Sequence, residues 1–267
     1  MFGSRQLVNA GGVLSPEEIV GREALIKSCW RTLETQGLYM TGERRMGKTS
    51  IVRDKMRNAP STGYKILYMD ISDCDTPLAF VDSLFREAKA SLSATAKAKI
   101  GAMEIILRLL PGIEFWQMFK LPDSVAPHWK EMLRAVLTDF ADSETKYVLT
   151  FDEMPIMLDK IRRGMGESAA MDVLDTLRKE RQHESRLRMI YTGSLGLHHV
   201  LGALQEADYH NEPTNDLKFV EVGPLSEADA TELARRLLSG MEIPCTNAEL
   251  LAKHLADITD GMPYYIQ

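Results

Sequence analysis

The chain has 267 residues, 45% hydrophobic and 26% charged, which suffices for a packed core and fits one large domain plus a small one. A net charge of −6 disfavours a surface that holds nucleic acid by charge alone, and three dispersed cysteines, Cys29, Cys74 and Cys245, exclude the usual Cys/His zinc pattern. No run approaches the roughly eighteen apolar residues of a membrane span, and MFGSRQLVNAGG lacks the apolar stretch of a signal peptide, so the chain reads as soluble and cytoplasmic with no membrane partner.

Residues 1–18 are polar and glycine-bearing and read as an extended arm. Over 22–36, Leu25, Cys29 and Leu33 recur at i, i+4 and i+8, which predicts a helix stopped by Gly37. Leu38-Tyr39-Met40 reads as a short buried strand, and the helix after GERRMGKTS runs to about Asn58, because Pro60 forbids continuation. YKILYMDI at 64–71 is a second strand. Thr76-Pro77 opens a helix with Leu78, Val81, Leu84, Phe85 and Ala88 on one face. Residues 93–127, with Pro111-Gly112 between two apolar segments, read as an insertion, either a hairpin or a broken helix.

A helix is expected from Pro127 to about 141, then a strand at 147–151 ending on Asp152-Glu153. Helices at 155–163 and 167–184 flank Gly164-Met165-Gly166, and strands follow at 188–192 and 218–222. Beyond Pro224 only helices are expected, at 226–240 and 247–257, with Ser226 and Thr246/Asn247 as their starts. Strands alternating with helices predict a three-layer α/β domain with a parallel five-stranded sheet, residues 19–224, followed by a small all-helical lid, residues 225–267.

Gly42-Glu43-Arg44-Arg45-Met46-Gly47-Lys48-Thr49 satisfies G-x-x-x-x-G-K-[ST], between an apolar strand and a helix. The glycines let the backbone curl so that successive N–H groups face phosphate oxygens, and Lys48 opens a helix whose amino end attracts anions. This predicts binding of ATP or ADP by residues 42–49 together with Ser50. Lys48 reaches the β- and γ-phosphates, and the Thr49 hydroxyl takes one Mg²⁺ position. Tyr147-Val148-Leu149-Thr150-Phe151 followed by Asp152-Glu153 reads as a Walker B element on the same rim of the sheet. There Asp152 binds Mg²⁺ opposite Thr49, and Glu153 serves as general base toward the attacking water. A polar group after the 188–192 strand belongs between the two elements. Ser194 is the first choice for sensing the γ-phosphate and Thr192 the reserve, the alternative being a plain turn at Gly193.

The runs IVGREALI, TGERRMGKTSIV, VLTFDEMP, IYTGS and GMPYYIQ, in that order over 19–267, resemble the STAND branch of the AAA+ superfamily, specifically the prokaryotic archaeal-type ATPases. The resemblance implies that Val20, Gly21 and Arg22 line one side of the adenine and that Pro263 in the lid covers the other. It also implies a lid that continues beyond residue 267 toward an effector region. The 93–127 insertion is outside the shared pattern. Arg235 and Arg236 are the available lid arginines, and Arg162, Arg163, Arg178 and Arg181 are candidates for a catalytic arginine supplied by self-assembly.

The resulting expectation is the ATPase domain of a molecular switch, its lid held closed by ADP, reorganised by ATP exchange and reset by hydrolysis, with an effector protein or a further copy as partner. An initiator-like ATP-dependent DNA-binding protein is the alternative, disfavoured by the net charge unless a basic domain follows Gln267. A non-hydrolysing nucleotide-binding adaptor fits less well with an intact Glu153, and a kinase needs neither the acidic pair nor the lid.

Overall fold

The computed structural model describes residues 7–10, 12–56, 63–91, 104–105, 108, 121–183, 186–193, 200–202, 212–241 and 246–267. Five strands form one parallel sheet: β1 (Gly37–Thr41), β2 (Tyr64–Asp70), β3 (Lys146–Asp152), β4 (Leu187–Thr192) and β5 (Leu217–Glu221), in the spatial order β2-β3-β4-β1-β5. Helices α1 (Glu23–Leu33), α2 (Pro77–Ser91), α3 (Trp129–Ala141), α4 (Met154–Met165) and α5 (Glu167–His183) accompany the sheet. The lid consists of α6 (Glu227–Gly240), α7 (Ala248–Ile258) and a single turn, α8 (Pro263–Ile266).

Alternation along the strands sorts their side chains into two layers. Tyr39, Tyr147, Leu149, Phe151, Met189 and Tyr191 join the core shared with α2 to α5. Leu38, Met40, Val148 and Ile190 face the other way, toward α1 and the helix after the glycine-rich loop. Leu225, Leu233, Leu237, Ala252, Ala256 and Ile266 make a third, separate cluster inside the lid. Cys29 and Cys74 are buried free thiols, and burial pushes the Cys29 thiol up to about 11; Cys245 lies outside the described residues.

Local chemistry fixes three of the helix starts. Thr76 Oγ1 accepts the Ala79 N–H at 3.1 Å, Ser226 Oγ the Asp229 N–H at 3.2 Å, and Asn247 Oδ1 the Leu250 N–H at 3.0 Å. Four expectations shift. The first helix ends at Leu33, because the Thr35 and Gln36 N–H groups both turn back onto the Thr32 carbonyl, and Gly37 begins a strand instead of stopping a helix. Residues Ser50–Met56 wind with the wider π pitch, and 57–62 lie outside the described residues. Pro127 sits inside a 3₁₀ segment, Asp123–His128, so the α-helical run starts at Trp129. The arm turns at 9–12, where the Gly12 N–H reaches the Asn9 carbonyl at 3.0 Å, and again at Pro16–Glu18, where Glu18 accepts the Ser15 N–H at 2.6 Å. Most of the 93–127 insertion lies outside the described residues. Among the described residues no helix is long and apolar enough to cross a membrane.

Arg181, one of the candidate catalytic arginines, is instead a structural strut. Its side chain is 3% exposed and forms a two-pronged pair with Asp216 (2.8 Å for both bonds), while also donating to the Pro213 carbonyl and the Tyr191 hydroxyl. Desolvation alone would depress this guanidinium; Tyr191 and Asp216 more than offset it and hold its pKa up. Arg181→Ala leaves Asp216 without its cation and is expected to cost about 3–5 kcal/mol of stability in urea unfolding, with Arg181→Ala/Asp216→Ala costing less than the two singles added.

Candidate functional site

At the carboxyl end of β1 the chain turns sharply at Gly42 (φ 142°), where a β-carbon would sit 2.4 Å from the Val222 carbonyl oxygen, so no other residue fits. The loop continues through Arg45 (φ 71°) and Gly47 (φ 87°) into the helix that begins at Lys48. Lys48 is 6% exposed and its ammonium donates to the carbonyls of Gly42 (2.7 Å) and Glu43 (2.8 Å), which closes the loop on itself. Burial draws the Lys48 pKa below the usual lysine range, partly opposed by the carboxylates of Glu153 and Asp152 and reinforced by Arg44.

Asp152 ends β3 and is 4% exposed. Its Oδ2 accepts from Thr49 Oγ1 at 2.8 Å and from the Tyr68 hydroxyl at 2.6 Å, while Oδ1 accepts from Thr192 Oγ1 and from the Glu153 N–H at 3.1 Å. Tyr68, on β2, had no motif to mark it. Burial, then the bond to Asp152, holds its phenol protonated well above the usual tyrosine range. Because β4 lies between β1 and β3, Thr192 at its end stands between the loop and the acidic pair, as the sequence reading requires of a residue there. Ser194, the first choice, lies outside the described residues.

Glu153 adopts a left-handed backbone (φ 59°, ψ 37°) at the start of α4, its carbonyl accepting from the Ile156 and Met157 N–H groups at 3.0 and 3.3 Å. It lines a cavity of about 320 Å³ together with Arg44, Arg45, Met46, Gly47 and Lys48. Thr49 and Ser50 line it as well; Gly42 and Glu43 form its backing through their bonds to Lys48. Asp152 is one layer behind Thr49.

Apolar side chains from distant sequence also line the cavity: Leu14, Ile19 and Val20 from the amino-terminal side, Leu225, Leu233 and Pro263 from the lid. Val20 and Pro263 both line this cavity. Arg22 lines it too, but its guanidinium is committed to the carbonyls of Met46 (3.2 Å) and Gly223 (2.7 Å), bracing the loop against the segment after β5. Its burial lowers its pKa, opposed by Asp229. Gly21 is not in the lining; its backbone (φ 70°) packs against Asp229, the side chain that a β-carbon there would strike at 2.5 Å.

The arm, for which the sequence reading predicts no contacts, is fastened beside the loop helix: the Leu14 N–H reaches Asp54 at 3.4 Å, and Arg53, paired with Asp54, reaches the Gly12 carbonyl. Of the candidate arginines, Arg162 and Arg163 pair with Asp159, Arg235 and Arg236 with Glu232, and none of these, nor Arg178 or Arg181, lines the cavity.

Thr49 and Asp152 offer a hydroxyl and a carboxylate oxygen 2.8 Å apart, both hard oxygen donors. Such a site suits an ion that keeps most of its shell as water and substrate phosphate, which is the habit of Mg²⁺.

No family model and no curated protein matches the sequence. Solved structures share its fold. A Walker-type ATPase of Pyrococcus abyssi matches with a TM-score of 0.60 at 19% identity, over 95% of this chain and 67% of its own. The ORC2 protein of Aeropyrum pernix, solved in ADPNP–ADP complexes, gives 0.57 at 12% identity over 94% and 61%. The ORC1 protein of the same organism, solved in complex with DNA, gives 0.54 at 14% over 93% and 58%. This chain thus has the α/β P-loop ATPase fold with a helical lid, and spans about three fifths to two thirds of the length of these proteins.

The left-handed backbone at Glu153 is a place where any β-carbon is strained. Glu153→Gly is expected to exceed Glu153→Ala in unfolding free energy by about 1 kcal/mol, the reverse of the order inside a helix. Equal stabilities in denaturant titration would mean that the left-handed conformation carries no strain.

Proposed function

We propose that the chain is the ATP-binding, Mg²⁺-dependent ATP-hydrolysing domain of a STAND-type molecular switch. The observation that carries this is the joining of the loop helix to the acidic pair: Thr49 hydrogen-bonded to Asp152 at 2.8 Å, beside a cavity walled by Lys48 and Glu153. The likeness to Walker-type and ORC proteins supports the same reading.

In this reading the loop N–H groups and Lys48 hold the triphosphate. Lys48 exchanges its bonds to the Gly42 and Glu43 carbonyls for phosphate oxygens, so the ammonium is already in position. Thr49 and Asp152 would hold Mg²⁺, which when bound neutralises charge on the β- and γ-phosphate oxygens. Asp152 keeps its direction because Tyr68, Thr192 and the Glu153 N–H bind its remaining lone pairs. Glu153 orients a water and accepts its proton as the water oxygen bonds to the γ-phosphorus and the bond to the bridging oxygen of ADP breaks. The apolar lining, with Val20 and Pro263, takes the adenine. ADP under a closed lid is the resting state, and ATP exchange changes how the lid is held.

An initiator-like role on DNA has the ORC1–DNA complex in its favour and the net charge of −6 against it. Titration of fluorescent duplex DNA with ATP present separates the two: salt-sensitive, ATP-dependent binding by this chain would favour the initiator role.

Lys48→Ala is expected to abolish or severely weaken ATP binding in titration calorimetry. Unchanged affinity would remove the nucleotide reading altogether. Glu153→Gln keeps size and polarity but cannot accept the proton, so ATP should bind as in the wild type while phosphate release slows by roughly 10²-fold or more. A variant that turns over at the wild-type rate would move the base to another residue.

A further inference from the structure

The proline that covers the cavity is followed by two tyrosines, and both meet the phosphate loop. The guanidinium carbon of Arg45 lies 4.1 Å from the centroid of the Tyr264 ring and 5.5 Å from that of Tyr265, and Arg45 Nη1 is 3.2 Å from the Tyr265 hydroxyl, to which it donates. The two rings stand edge to face at 5.7 Å. Tyr264 lines the cavity beside Pro263, whereas Tyr265 is 55% exposed.

Each half of this contact is anchored. Arg45 is held in a left-handed conformation (φ 71°) within a loop whose neighbouring Met46 carbonyl is gripped by Arg22. The tyrosines sit on α8, which is fixed to the lid by buried Ile266 and preceded by a bond from the Leu225 N–H to the Gly261 carbonyl at 2.9 Å. A cation between ring faces therefore joins a loop on the sheet to a lid with a core of its own. The contact is electrostatic in origin and strengthens as the pair is shielded from water.

We propose that Arg45 is a positioning residue for nucleotide retention: it clasps Tyr264 and Tyr265, holds the lid over the cavity, and must let go before a bound nucleoside diphosphate leaves. This rests on the reading of the cavity as a nucleotide site and adds to it the loop-to-lid contact that sets the rate of release. Arg45 acts through the lid and takes no part in bond making.

The test is stopped-flow release of a fluorescent ADP analogue from the whole chain, chased with excess ADP. Arg45→Ala and Tyr264→Ala should each speed release by roughly two- to thirty-fold, the range a cation–π contact spans between exposed and shielded settings. The double variant should be no faster than the faster single, because both remove the same contact. Tyr264→Phe, which keeps the ring, should return release close to the wild-type rate, which a general loss of packing around the hydroxyl would not allow. Release unchanged in Arg45→Ala, or effects that multiply in the double variant, overturns the clasp. A wild-type chain that binds no ADP analogue fails earlier and overturns the nucleotide reading itself, so the two failures are distinct.

Discussion

The carboxylate of Asp152 is the point on which the site is built. A charge that is 4% exposed is costly unless its lone pairs are filled. Here they are filled from separate elements: Thr49 on the loop helix, Tyr68 on β2, Thr192 on β4 and the Glu153 N–H at the start of α4. Each donor is locked to the others through one anion, so the ends of β2, β3 and β4 and the start of the loop helix cannot shift independently. The strand order β2-β3-β4-β1-β5 is what makes this geometry reachable, since it inserts β4 between the loop-bearing strand and the strand of Asp152. The gap so created is one strand wide, and Thr192 fills it.

Around that hub the cavity is assembled from distant segments: the phosphate loop, residues of the 9–22 segment and the lid all line it, and Met262 and Val20 pack across from one segment's core to another's. Arg22 links the loop to the segment that leads into the lid, through the Met46 and Gly223 carbonyls, and its burial makes that brace directional. A ligand with a charged end and a flat apolar end would complete contacts across all three parts.

Much of this was legible in the chain itself, for identifiable reasons. GERRMGKTS after an apolar strand and FDE at the end of another are short, contiguous signals whose chemistry dictates their spacing, and the alternation of strand and helix predicts the layers. What escaped depends on which strands become neighbours. Tyr68 is an ordinary strand tyrosine until β2 is laid beside β3 with Asp70 opposite Asp152. Arg181 looks like any arginine near a helix end until the turn carrying Asp216 is placed beside it. The helix boundaries at Leu33 and Trp129 moved because turns and a 3₁₀ segment compete with the α-helix at nearly equal cost over a few residues. The contact of Arg45 with Tyr264 and Tyr265 spans more than two hundred positions, beyond any periodic signal.

Backbone strain points to the same residues by an independent route. Among the described residues three non-glycine side chains have positive φ: Arg45, Glu153 and Asp260. Asp260 is of the type that tolerates the left-handed region, and it precedes Gly261 where α7 gives way to the turn before α8. Arg and Glu have no such tolerance, and glycine would relieve each of them. Both line the cavity. A chain that keeps a charged side chain where glycine is easier is using that side chain, and the two uses differ. At Glu153 the left-handed turn lets one residue follow the buried Asp152 and still place its carboxylate in the open cavity. At Arg45 the same conformation sends a guanidinium out of the phosphate loop to the lid tyrosines, which leaves Lys48 as the ammonium that the loop itself encloses. The strain therefore divides the charges of the site by direction, one facing the cavity beside Lys48 and one facing the lid.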